Sequence, residues 1–157
     1  MLLQHQSLQI VADYHQFYLW DRGMEPVAPI DYTEIDIERR IKTGPNVVVI
    51  QPARSLKVPV DIFIYDSDPG FDDSEWDHVA EASLHLPTGQ LEVHECMGGP
   101  VAEFKVRPGW YRVRGFFGSL EDIDNWGIEG NDHYRADLWP KTSGDLLVIK
   151  QAKSHRV

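Results

Sequence analysis

The sequence predicts a mainly β fold, an antiparallel sandwich with a partly open barrel as the alternative. Three observations carry that expectation. Apolar residues alternate with period two along much of the chain, turn chemistry separates the alternating runs, and one stretch alone carries helical signals. With 157 residues, 42% of them hydrophobic, the chain has the size of a single β-rich domain over 1–157, and residues 1–6 and 151–157 are expected to fray.

In the first element Leu8, Ile10, Ala12 and Tyr14 share a face, and Phe17 and Leu19 continue in the opposite phase. That slip near His15-Gln16 predicts a bulge, because one extra residue resets the alternation. A short helix is expected over 32–43, with Asp31 as N-cap, Glu34 three residues on, Ile30 and Ile35 at staple positions and Gly44-Pro45 as the stop. A strand through Ile35 and Ile37 competes with it. Val47-Val48-Val49-Ile50 is a β-branched run suited to burial on both faces. Val58, Val60, Ile62 and Ile64 then alternate with Asp61, Phe63 and Tyr65.

Two hairpins are expected next. Leu84 and Leu86 lead into Pro87-Thr88-Gly89-Gln90, and Leu91 and Val93 lead out, with Gly89 supplying positive φ. Ala102, Phe104 and Val106 run into Pro108-Gly109, a type II turn signal. Trp110 to Phe117 returns with Tyr111, Val113 and Phe117 on one face and Arg112 and Arg114 on the other. Tyr134, Ala136 and Leu138 repeat the pattern, and Leu146 to Ile149 closes the set.

Charge is the most informative part of the composition. The net charge is −10, and it is concentrated. Asp66, Asp68, Asp72, Asp73, Glu75 and Asp77 fall in one stretch without Lys or Arg, and Glu121, Asp122, Asp124, Glu129 and Asp132 fall in a second. The rest of the chain holds 14 acids against 15 bases and is nearly neutral. Such a surface repels phosphates and anionic lipid, so direct nucleic-acid binding and membrane association are not expected. No apolar run approaches the roughly 20 residues that cross a bilayer. The opening Met1–Gln6 lacks the features of a signal peptide, and the lone Cys96 cannot form an internal disulfide, so cytoplasmic residence is expected.

Each candidate site has a plainer competitor. The Asp66–Asp77 stretch offers oxygens for calcium, but Gly70 and Phe71 break the spacing of an EF-hand loop. A solvated loop or a contact surface for a basic partner fits better. If Leu86 paired with Leu91, His85 would lie opposite Glu92 with His94 diagonal to both, a set suited to a transition metal and hence to a metal-dependent hydrolase of unfamiliar type. The same positions read more simply as the polar, solvent side of a hairpin. Cys96 has no base partner in view and reads as a packed thiol. Arg112 and Arg114, with Arg135 and Asp137, make either an anion site or a cross-strand charge ladder. Among Trp110, Trp126 and Trp139, Trp126 is distinctive because it sits inside the second acidic stretch, away from an obvious core role. The sequence contains no Gly-rich phosphate loop, zinc-spaced Cys pair or nucleophile elbow. No cofactor is expected, and a small-molecule pocket has no positive sign.

Tyr14-His15-Gln16-Phe17, Asp31-Tyr32-Thr33-Glu34 with Ile37-Glu38, Gly44, the Val60–Tyr65 strand and Pro108-Gly109-Trp110-Tyr111 together resemble the competence protein J family, inhibitors of the DNA-entry nuclease of competent bacteria. The likeness is strongest in the first half. The Asp66–Asp77 loop and the Gly118–Asn131 segment depart from that family's pattern, so no functional residue is carried over. The resemblance implies a non-catalytic inhibitor or immunity protein of a bacterial nuclease. That agrees with the charge: a DNA-gripping enzyme presents basic side chains, which concentrated carboxylates can engage. The twelve expected contact residues are the eleven acids above and Trp126.

Overall fold

The structure, a computed structural model, describes residues 1–153. Within them lie strands β1 (Leu2–Val11), β2 (Phe17–Asp21), β3 (Ile41–Gly44), β4 (Val47–Ile50), β5 (Lys57–Tyr65), β6 (His78–Leu86), β7 (Gln90–Glu95), β8 (Gly99–Lys105), β9 (Gly109–Gly118), β10 (His133–Pro140) and β11 (Leu147–Lys150), with one helix, α1 (Glu34–Arg39). They form a six-stranded sheet in the order β1-β5-β10-β9-β6-β11 and a five-stranded sheet in the order β3-β4-β2-β7-β8. The expected mainly β, two-sheet architecture is present. All neighbouring strands are antiparallel except β5 and β10, which run parallel from Tyr134↔Val60 to Leu138↔Ile64. No helix among the described residues is long and apolar enough to cross a membrane.

Inward residues of both sheets make one hydrophobic cluster, including Ile10, Phe17, Leu19, Ile50, Ile62, Leu84, Val93, Val113, Phe117 and Leu138. The β4 run is buried on both faces, as its composition requires. Val48 and Ile50 enter this cluster, while Val47 and Val49 join Tyr18 on the other side, against Trp20, Ala28, Tyr32 and the half-buried Cys96. The thiol therefore packs as a small apolar group.

Three sequence expectations need correction. The phase reset after Ala12 is not a bulge. It is a 3-10 turn, Asp13–His15, in which Tyr14 (φ 58°) and His15 (φ 61°) are left-handed, and it carries the chain from one sheet to the other. The helix is shorter than 32–43. Its N-cap is Thr33, whose hydroxyl accepts the Asp36 N–H at 3.1 Å while the Asp36 carboxylate accepts the Thr33 N–H at 3.0 Å. Arg40 turns left-handed after the last helical residue, and Ile41 is fully buried in β3 opposite Ile50. Burial of Ile41 in a sheet overrides the helical spacing that links it to Ile37. Ile30 and Ile35 are both exposed, so they form no staple.

The third correction concerns the two hairpins. β6 and β7 lie in different sheets, as do β8 and β9. One antiparallel register instead runs from His78↔Phe117 through Leu86↔Gly109 to Gln90↔Lys105 and Val93↔Ala102. Segments 78–95 and 99–117 are thus the two arms of a single ribbon that folds over at 87–89 and 106–108. Gly89 (φ 71°) and the Val106 N–H donating to its carbonyl at 2.9 Å hold that corner. Residues 2–6, where fraying is expected, are placed in a strand. They are part of β1 and pair with β5 from Leu2↔Tyr65. At the other terminus Ala152 is buried, and its N–H donates to His78 Nδ1 at 3.0 Å. The part of the expected fraying at 154–157 lies outside the described residues.

Candidate functional site

The strand registers place four connections at one end of the six-stranded sheet. Val11↔Lys57, Tyr134↔Val60, His133↔Gly118 and His78↔Phe117 put the end of β1, the start of β5, the start of β10, the end of β9 and the start of β6 side by side. The 12–16 turn, the 51–56 segment, the 119–132 loop and the last residues of the 66–77 loop therefore converge there.

The first acidic segment is a strap across the outer face of this sheet. Beneath it Arg112 and Arg114, each 4% exposed, share one carboxylate: Arg112 Nε donates to Glu81 Oε1 at 2.9 Å and Arg114 Nε to Glu81 Oε2 at 2.8 Å. The expected ladder with Asp137 is not what forms: Arg112 and Arg114 pair with Glu81 of β6, Asp137 is taken by Arg135, and the face is covered rather than solvated. The Arg114 guanidinium lies between the rings of Phe71 and Trp139, 4.3 and 4.4 Å from their centroids, and pairs with Asp68 at 3.1 Å. Although burial works in the opposite sense, hydrogen bonds from Arg114 and the Gly70 amide hold the Asp68 carboxyl below its ordinary value. Arg112 is equally committed, donating to Ser83, Gly144 and Asp145 as well as to Glu81. Neither arginine is an open anion site. On the next strand Arg135 donates to the buried Asp137 and to the Tyr65 hydroxyl, and lies 3.9 Å from the Phe63 ring centroid.

The second segment is built around a compact turn. Asp124 accepts the Trp126 N–H at 3.2 Å and the Ile128 N–H at 2.8 Å, and these backbone bonds, the Ile128 one foremost, lower its pKa. The Asp124 N–H donates to Glu129 O, Asn131 N–H to Asp122 O, and Ile123 bridges Gly130. At the base Arg54 Nε donates to Asp132 Oδ1 at 2.6 Å, Arg54 Nη1 to Ile128 O at 2.8 Å, and the Tyr134 hydroxyl to Asp132 Oδ2 at 2.5 Å. Burial, with the adjacent Asp132 charge, raises the Tyr134 pKa, so the phenol stays a donor. Asp132, 1% exposed, is an internal counter-ion and not a surface contact. Sequence reasoning missed Arg54, since its partner is 78 positions away and no local signal marks it.

The two acidic segments meet. The Asp77 N–H donates to Phe117 O, Asp77 Oδ2 accepts the Leu120 N–H at 2.8 Å, and the Trp76 ring lies 5.1 Å from that of His133. Their acids divide into two sets. Asp66 pairs with the N-terminal ammonium, Asp68 with Arg114, Asp77 with the Leu120 N–H of the other segment, Asp124 with N–H groups of its own loop, and Asp132 with Arg54. Asp72, Glu75, Glu121, Asp122 and Glu129 are exposed and Asp73 is half-buried. Trp126 is 82% exposed, whereas Trp139 is buried and Trp110 stacks on His85 at 4.4 Å.

The His85, Glu92 and His94 set is not assembled, because the corner sends β6 and β7 to different sheets. His85 lies opposite Trp110 on β9. Glu92 accepts from Trp20 Nε1 at 3.0 Å, and His94 packs 4.5 Å from the Trp20 ring. Among the described residues no three His, Cys, Asp or Glu side chains form a cluster able to hold a metal ion.

The fold and site thus define a two-sheet, mainly β protein in which ion pairs to buried arginines brace two acidic loops that meet at one end of a sheet. The crystal structure of ComJ, described as an inhibitor of the DNA-degrading activity of NucA from Bacillus subtilis, has this fold: the TM-score is 0.65 at 17% identity, covering 88% of this chain and 96% of that one. A structure described as crocagin biosynthetic gene J is also similar, with a TM-score of 0.56 at 18% identity, covering 89% of this chain and 100% of the other. No family model and no curated protein matches the sequence.

Proposed function

We propose that the protein is a non-catalytic inhibitor that neutralises a basic protein partner, a bacterial nuclease. The observation that carries this reading is the junction of two base-free acidic segments at one end of a ComJ-like fold, through Asp77–Leu120 and Trp76–His133. Outward carboxylates there match the lysines and arginines with which a nuclease holds phosphates. Charge of that kind accelerates encounter and selects against acidic partners. The inhibitor named in the neighbouring structure supports the same direction, and the separation of His85 from Glu92 and His94 removes the support for a metal-dependent hydrolase.

The test uses the purified protein against a panel of nucleases: NucA and the secreted and intracellular nucleases of the protein's own organism. DNA cleavage is followed as ionic strength rises from about 0.05 to 0.5 M, across which the screening length falls to a few ångströms. Inhibition of at least one nuclease, weakening steeply with salt, is the expected result. The reading fails if no nuclease in the panel is inhibited, or if converting Asp72, Glu75, Glu121, Asp122 and Glu129 to their amides leaves inhibition intact.

A further inference from the structure

Three of the connections at the junction end carry large apolar side chains in solvent. Trp126 is 82% exposed, Tyr14 69%, Ile128 59% and Leu56 39%. Their backbones are tied to one another. The Ala12 N–H donates to Leu56 O at 2.9 Å, the Tyr14 N–H to Ser55 Oγ at 2.8 Å, and Arg54 Nη1 to Ile128 O at 2.8 Å. Trp126 and Ile128 are further fixed through the Asp124 carboxylate, which accepts both of their N–H groups. Tyr14 holds its ring outward from a left-handed backbone, φ 58°, a conformation disfavoured for a bulky residue. Bulky apolar groups fixed in water by a polar frame contribute nothing to the core. Exposure on a backbone held by hydrogen bonds is the property of interface anchors, for which rigid aromatic side chains are preferred.

We propose that Tyr14, Leu56, Trp126 and Ile128 form the apolar centre of the docking face for the basic partner, with Glu121 and Glu129 on its rim. The inference rests on the inhibitor reading and deepens it, by assigning tight binding to an apolar anchor and attraction to the carboxylates. The charge selects the occupant. The 119–134 stretch carries five acids and no Lys or Arg, so a second copy of the chain or an anionic membrane would meet like charge around Trp126. The complementary surface is an apolar recess ringed by Lys and Arg on a globular protein.

Affinity for the inhibited nuclease of the panel, NucA included, is measured as a function of salt for the wild type, Trp126→Ala, Tyr14→Asn and the Glu121→Gln/Glu129→Gln pair. Asn tolerates the left-handed backbone at position 14, so that variant removes the ring and keeps the turn. Trp126→Ala weakens binding by about 30-fold or more and Tyr14→Asn by about fivefold, both with the salt slope unchanged. The Gln pair flattens the slope. If Trp126→Ala binds within about threefold of wild type while the Gln pair weakens binding, the apolar anchor is refuted and the inhibitor reading stands. If no panel nuclease binds wild type, the inhibitor reading itself has failed and this inference goes with it. Self-association of the wild type in sedimentation, abolished by Trp126→Ala, would also overturn it, by giving the face to a second copy.

Discussion

His78 joins three parts of the chain from a fully buried position, and its protonation state can be read from its partners. Its Nε2–H donates to the carbonyl of Arg39, at the end of α1, at 2.7 Å, and its Nδ1 accepts the N–H of Ala152 at 3.0 Å. Only the neutral ring with its proton on Nε2 makes both bonds. Burial, helped by the nearby Arg40 charge and opposed by the Arg39 carbonyl, pulls the pKa from 6.5 down to about 4. A folded-state value below the unfolded one stabilises the protein above the unfolded pKa, and that stability is lost as pH falls toward the folded one. A tenfold change in proton affinity is about 1.4 kcal/mol, so the loss is about 2 kcal/mol by pH 5 and about 3 kcal/mol by pH 4. Urea unfolding of wild type and His78→Gln at pH 7, 6 and 5 isolates the effect, since every other titrating group is common to both. The carboxylates lowered by their partners, Asp36 and Asp68 among them, release their contributions only below about pH 4. The gap between the two proteins should shrink by about 2 kcal/mol from pH 7 to pH 5. Parallel pH profiles would refute the assignment of a neutral, structurally committed His78.

Three further outcomes follow from the geometry. Asp132→Ala leaves the Arg54 guanidinium buried without its counter-ion and should destabilise by about 3–5 kcal/mol in chemical denaturation; a loss below about 1 kcal/mol would place that pair in solvent. Gly89→Ala puts a Cβ against the Val106 carbonyl oxygen and forces φ 71° on a side-chain-bearing residue, so it should cost more than about 2 kcal/mol, and a wild-type melting temperature would mean the ribbon does not fold over there. Thr33→Ala removes the reciprocal cap of α1 and should cost about 1 kcal/mol, with an unchanged midpoint telling against a capped helix at that position.

Most strand positions were legible because period-two burial is a local property. Val58 to Ile64 and Tyr134 to Leu138 alternate as their neighbours in the folded sheets require. What could not be read locally was which sheet a strand joins. Pro87-Thr88-Gly89 has the chemistry of a hairpin turn, and a fold-over of a continuous ribbon needs the same residues: a stiff entry and a positive φ. The difference lies in partners near residues 105–117, too far along the chain for a turn signal to reveal. The misplaced His85, Glu92 and His94 set followed from that one ambiguity. Helix α1 shows a related limit, since Ile37 and Ile41 are one helical turn apart yet Ile41 is claimed by β4 through Ile50.

The acidic segments show why net charge marks a region but not the residues within it that act. Twelve positions stood out from charge and from Trp126, yet Asp68, Asp77 and Asp132 hold the loops in place, through Arg114, Leu120 and Arg54. A carboxylate that accepts two good internal hydrogen bonds is held by its own fold and has less to offer an approaching cation than one facing water. Setting aside the buried, half-buried and ion-paired members leaves Asp72, Glu75, Glu121, Asp122 and Glu129 as the outward charge. The inward carboxylates remain necessary to the same surface. Asp124 and Asp132 fix the loop that carries Trp126, and Asp77 ties the strap to the root of that loop. Neutralising an inward carboxylate should therefore weaken partner binding by loosening the face, with a fall in stability alongside, whereas neutralising an outward one should change the salt dependence and leave the melting temperature nearly where it was.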